Sequence, residues 1–248
     1  MQFKGPKNAA VLILILEGSI LGSLILVFTP TSTLQASAQM MGNGGMMGSG
    51  IMGSNMNGMQ NMMTIQGQLV SVQQAIQMMH NIPSYAKVDS HNNTITFGSK
   101  VVNVVVVSTG SDKATNLTRA QPPIYSKGDV FIIYGLINPT LVVQKGVSIQ
   151  FTVMNLDDTY HNLAISSVGP PYPYMTMMFS MGMMFSNSQI GVQSKSYPVM
   201  ISFLPPAGQA SAHEYSYGLT LYKSGSLWYM CTYSGHAQDG MYGRIIVT

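Results

Sequence analysis

The chain has 248 residues, enough for one domain with a full hydrophobic core. Only 8% are Asp, Glu, Lys or Arg, the formal net charge is +3, and no basic run or basic helix occurs, which excludes a nucleic-acid-binding surface. Polarity comes instead from Ser, Thr, Asn, Gln and Gly, and a surface so poor in carboxylates hints at an acidic exterior.

Residues 1–38 lie outside the fold. Lys4 and Lys7 form a short basic head. Ala9 to Thr29 is almost wholly apolar, and Pro30 ends it. That length suits a membrane-spanning helix with its N-terminus inside. Two readings stand. The segment is an uncleaved anchor, which its length favours, or a signal peptide cut after Ala36-Ser37-Ala38. Glu17 in mid-span speaks against a permanent helix. Both readings export the rest of the chain. Either it remains a single-pass membrane protein facing the extracytoplasmic side, or it is secreted after cleavage near Ala38.

Residues 39–63 are a Met- and Gly-rich stretch that cannot form a core. A flexible linker is the preferred reading, with thioether capture of Cu(I) as the alternative. A domain over 64–248 follows, with 64–112 as its N-terminal extension. Leu69, Val72, Ala75, Ile76 and Met79 recur at helical spacing, and Pro83 closes that segment.

Short β-rich runs come next: 94–97, 101–108, 130–136, 140–144, 147–155, 161–166, 215–221, 227–231 and 242–247. Gly, Pro, Asn and Asp separate most of them. The pattern predicts an all-β, antiparallel sandwich. Asn92-Asn93-Thr94 and Asn116-Leu117-Thr118 are glycosylation sequons. Residues 170–186 interrupt the strands with six Met and two Phe between Met175 and Phe185. They read equally as a hydrophobic flap or as an exposed contact patch.

The most informative segment is the last. Cys231, the chain's one cysteine, is followed by His236 and Met241, with four residues between each and the next. A strand leads in, a Gly-bearing loop follows and a strand leads out. One loop can therefore present a thiolate, an imidazole and a thioether at one point. His161, between two β-rich runs, supplies the missing imidazole. Cys and two His are strong ligands for copper, with Met on a longer axial bond. Such a site is saturated with protein ligands and leaves no position for a small-molecule substrate, which argues for electron transfer over catalysis. His80, His91 and His213 have no ligand-spaced partners and read as solvent-facing or capping residues.

Gly235 to Gly243 (Gly-His-Ala-x-x-Gly-Met-aromatic-Gly) resembles the copper loop of the cupredoxins, most closely the sulfocyanin and rusticyanin group. Asn93 to Val107, Asn138-Pro-Thr-Leu141 and Gly169-Pro-Pro-Tyr172 are similar to the same group. The resemblance spans about residues 64–248 and is weakest over 170–215. It implies a Greek-key β-sandwich with one type 1 copper at one end. It implies a carrier outside the membrane of an acidophile, with a protein donor and a protein acceptor such as a membrane terminal oxidase. Asn162 follows the first His ligand, as in sulfocyanin, where rusticyanin has Ser. In the family this Asn ties the first His loop to the Cys loop, and the site's potential is tuned there.

Rival classes differ on the residues. A multicopper enzyme needs His-x-His pairs, and a binuclear copper centre needs two cysteines; the chain has neither. A copper storage or resistance protein using the Met-rich segments is the remaining alternative.

Overall fold

The computed structural model describes residues 67–174, 192–194 and 202–248. The expected anchor or signal segment (1–38), the linker (39–63) and residues 175–186 of the Met and Phe insertion lie outside the described residues. Among the described residues, no helix is long and apolar enough to cross a membrane.

In chain order the elements begin with β1 (Gln68–Ser71), α1 (Val72–His80), β2 (Ala86–Asp89), β3 (Thr94–Phe97), β4 (Val101–Gly110) and α2 (Ser111–Thr118). β5 (Asp129–Ile133), β6 (Leu136–Ile137), β7 (Thr140–Val143), β8 (Ser148–Asn155) and β9 (Ala164–Ser166) follow. β10 (Val192–Ser194), β11 (Ser211–Leu221), β12 (Gly225–Met230) and β13 (Tyr242–Val247) complete the chain.

Two sheets form. One has the order β1-β11-β8-β4-β5-β6, with β10 also on β11; the other runs β2-β3-β7-β13-β12-β9. They pack face to face. Val102, Val104, Val106, Phe151 and Tyr217 of the first meet Ile95, Leu141, Tyr229 and Ile245 of the second in one buried cluster. α1 and α2 cover the outer face of the first sheet. There Ala75, Met79 and Ala114 pack with Val107, Val130, Ile132 and Met154. This explains the nearly unbroken Val run in β4: its second half is buried on both faces.

The expected antiparallel arrangement needs correction, because both sheets are mixed. β4 pairs with β8 in parallel, and β7 pairs in parallel with both β3 and β13. Alternation of apolar residues shows which side chains face inward, not which way a neighbouring strand runs. Crossing between sheets makes the difference: β4 to β6 lie in the first sheet, and the chain then returns to the second to pair β7 beside β3.

The helix in the N-terminal extension is also shorter than its periodicity suggested. Residues 68–71 form a strand on β11, and Ser71 caps the helix by accepting from the Gln74 amide at 3.0 Å. Leu69, part of the periodic set, is exposed. α2 carries too few apolar residues to announce itself. It ends at Arg119, which takes a left-handed cap conformation with φ of 62°.

Candidate metal centre

The expected ligands come from two stretches of backbone. His161 sits in the β8–β9 connection rather than inside a strand, and its backbone bridges to Leu204. Asn155 shapes that connection. Its side chain accepts from the Asp157 amide at 2.9 Å and donates to the Thr159 and Pro205 carbonyls at 2.7 and 2.8 Å. Two buried tyrosines secure the far side. Tyr215 Oη accepts from the Leu163 amide at 3.0 Å, and Tyr217 Oη donates to the Leu163 carbonyl at 2.9 Å.

Cys231 follows β12 directly, and His236 and Met241 lie in the loop before β13. The Cys231 amide donates to the Met241 carbonyl at 3.1 Å, and the Met241 amide to the His236 carbonyl at 2.8 Å. These bonds fold the loop back on itself. Gly235 and Gly240 take φ of 87° and 98°, turns that a residue with a Cβ resists.

The structure brings three ligands together. Cys231 Sγ lies 3.7 Å from His161 Nδ1 and 3.6 Å from His236 Nδ1, and the two nitrogens are 3.2 Å apart. The circle through these atoms has a radius of about 2 Å, close to first-row metal bonds to imidazole nitrogen and slightly short of those to thiolate sulfur. A metal at its centre would thus bind all three with little movement. Met241 is fully buried in the same cluster as Cys231, and its backbone bonds place it beside these three. The donor set and its spacing fit one type 1 copper ion.

The groups behind the ligands differ. His161 is fully buried, and its Nε2 lies 2.9 Å from Asp157 Oδ2 and 3.0 Å from Thr159 Oγ1. Nε2–H donates to the carboxylate, so the lone pair of Nδ1 faces the metal position. His236 is 13% exposed, and its Nε2 is 3.5 Å from Asp129 Oδ2, beyond a good direct hydrogen bond. Its ring packs on Tyr233 with centroids 4.7 Å apart. Asn162 joins the two ligand loops. It donates from Nδ2 to Thr232 Oγ1 and accepts at Oδ1 from the Thr232 amide, both at 2.8 Å.

Burial pushes the Cys231 thiol up, but the two imidazoles outweigh it and bring it down to about 6. Burial also works against charge on His161; Asp157 and the Cys231 sulfur reverse that and raise it to about 9. Asp157 resists its own burial and is lowered to about 2, chiefly by the bond to His161. Asp129 is raised, by burial first and by the neighbouring Asp157 carboxylate, against the pull of both imidazoles. Between about pH 6 and 9 the metal-free site is therefore a thiolate beside an imidazolium, and there a metal must displace a proton from His161.

His80 and His91 are exposed, and His213 lies within β11; among the described residues none joins a cluster of candidate ligands. Residue patterns missed Asp129, Asp157 and Thr159. Asp157 left one trace, its position four residues before His161. Asp129 left none, because only the folded sheet brings β5 to this end.

No protein-family model matches the chain. Curated relatives do. The chain is similar to rusticyanin. It is 27% identical to rusticyanin of Acidithiobacillus ferridurans over 156 residues, 62% of this chain and 67% of the relative. A rusticyanin of Acidithiobacillus ferrooxidans is also 27% identical over 156 residues, 81% of its own length. Among solved structures, a rusticyanin from Thiobacillus ferrooxidans aligns at 24% identity and a TM-score of 0.49, covering 73% of this chain and 96% of the other. A structure of reduced rusticyanin gives 23% identity and a TM-score of 0.47, covering 73% and 99%.

Proposed function

We propose that the chain is a type 1 (blue) copper electron carrier, working outside the cytoplasmic membrane and passing one electron at a time between protein partners. The observation that carries this reading is the triangle of His161 Nδ1, Cys231 Sγ and His236 Nδ1. Copper held there supplies a one-electron couple. The chain's own residues do the rest. Asp157 and the Asn162–Thr232 pair hold His161 and the Cys231 loop, so the ligands move little between oxidation states. His161, Cys231 and Met241 are sealed from solvent, and His236 alone of the four keeps an exposed ring edge. A donor or acceptor meets the site at that edge.

Asn162 and the apolar stretch in residues 1–38 favour a sulfocyanin-like, membrane-held carrier in a Greek-key cupredoxin domain, serving a respiratory chain that ends in an oxidase. Tethering would raise the carrier's effective concentration near membrane partners. The loaded protein is tested by its optical spectrum, with Cys231→Ser as control. An intense visible thiolate-to-copper band, lost in the control, at one copper per chain, is the expected result. Several colourless Cu(I) ions per chain would overturn it and favour metal storage by the Met-rich segments.

A further inference from the structure

Met241 is the weakest of the four expected ligands, so its position is set by the backbone around it rather than by its own bond. Its two neighbours are gripped by a segment from elsewhere in the chain. Residues 120–128 connect α2 to β5 and pass directly over the loop that carries Met241.

A Cβ added to Gly240 would fall 2.3 Å from the Tyr125 carbonyl oxygen and 2.6 Å from Ser126 Cα, so only glycine allows this approach. The Lys127 amide donates to the Asp239 carbonyl at 2.7 Å. Ser126 Oγ donates to the Gly240 carbonyl at 3.1 Å. On the other side of Met241, the Tyr125 ring stacks on Tyr242 with centroids 4.7 Å apart and planes 9° from parallel.

Asn138 locks this arrangement to the sheets. It lies between β6 and β7, is 2% exposed, and takes a φ of 47°, which Asn tolerates better than most residues. Its Oδ1 accepts from the Phe131 amide at 2.9 Å. Its Nδ2 donates to the Gly240 carbonyl at 2.9 Å and to Ser126 Oγ at 2.8 Å. Every polar atom of this buried side chain thus has a partner, and one of those partners is the carbonyl immediately before Met241.

We propose that residues 125–127, locked by Asn138, form a clamp that sets the position of Met241 at the copper site. Asn138 and Ser126 are positioning residues: they act on Met241 through the Gly240 carbonyl and do not touch the metal position. The clamp keeps the Met241 backbone in one place in both oxidation states. It rests on the copper-carrier reading above and adds a determinant of the site's potential in a segment that contributes no ligand.

The test uses the full chain loaded with copper. Asn138→Gly keeps the positive φ and removes the side chain; Ser126→Ala removes only the hydroxyl. Each is made alone and with Met241→Leu. Two quantities are read: the intensity ratio of the visible bands, which responds to the axial ligand, and the midpoint potential. Asn138→Gly is expected to shift both, Ser126→Ala to shift them less and in the same direction, and both shifts to vanish when residue 241 is Leu. A wild-type spectrum and potential in folded Asn138→Gly would overturn the clamp, and so would shifts that persist with Leu at 241. Should Asn138→Gly fail to fold, Ser126→Ala decides alone by the same criteria. Absence of a thiolate band in the unaltered chain is a separate result: it removes the copper reading and the clamp with it.

Discussion

The two imidazoles of this site are the same group held in two different ways. His161 comes from the β8–β9 connection, is sealed from solvent, and has its outer nitrogen bound to the Asp157 carboxylate at 2.9 Å. His236 comes from the β12–β13 loop, keeps an exposed edge, and has only Asp129 beyond hydrogen-bonding distance at 3.5 Å. One ring is held from behind and the other keeps contact with solvent. Rigidity and access are incompatible in a single side chain, and the site divides them between two.

The largest test of this division removes each ring in turn. His161→Gly leaves the Asp157 carboxylate half-buried without its cation. Breaking a buried pair in this way costs about 3 kcal/mol or more. Urea denaturation of the metal-free protein should show that loss, and added imidazole should not restore the copper spectrum. His236→Gly opens a gap at the surface. Its stability should change little, and imidazole added to the copper-loaded variant should restore the visible band. Equal rescue of both variants would mean that His161 is as accessible as His236.

The unequal legibility of the two sides follows from the same geometry. Cys231, His236 and Met241 share one short stretch, and their residue types at that spacing are specific for copper. His161 could be read because a β-rich run ends just before it. The strand positions of β3, β7 and β13 were legible for a related reason: their alternating apolar residues record one buried face. What supports the ligands was harder to see. Asp157 is near His161 in sequence, but an aspartate in a loop is ordinary. Asp129 and Asn138 reach the site only because β5, β6 and β7 lie where the sheet order puts them. Strand direction was invisible for the same reason, since it depends on connections that cross between sheets.

A smaller effect is expected from Asp157→Asn, which keeps the shape of the His161 clamp and removes its charge. Copper affinity should fall about 10- to 100-fold, the usual cost of losing a partner behind a metal-bound His. The metal-free protein should also show a pH signature. Asp157, lowered to about 2, adds stability that is fully present above the usual carboxylate range near 3.8 and is lost as pH falls through about 2. His161, raised to about 9, adds stability that is fully present below about 6.5 and is lost as pH rises through about 9. The melting temperatures of wild type and variant should therefore differ most between about pH 4 and 6.5 and converge on either side. A gap that is constant across pH would show that the carboxylate and the imidazole are not coupled.

The smallest effect is the sharpest comparison. Asp129→Asn removes a carboxylate that lies near both rings, 3.5 Å from His236 Nε2 and 3.8 Å from His161 Nε2. Asp129 is 24% exposed, lies 3.5 Å from the His236 ring nitrogen, and is pushed by burial toward its neutral form. Its attraction for His236 is therefore partly screened by solvent. Partly exposed pairs of this kind contribute about 0–1 kcal/mol, so copper affinity should change by about fivefold or less. Competitive titration against a chelator of known affinity, run on both variants at one pH, separates the two cases. If Asp129→Asn costs as much as Asp157→Asn, then Asp129, set between the two rings, holds them as firmly as Asp157 holds His161. The exposed edge would then be a fixed part of the site rather than its movable face.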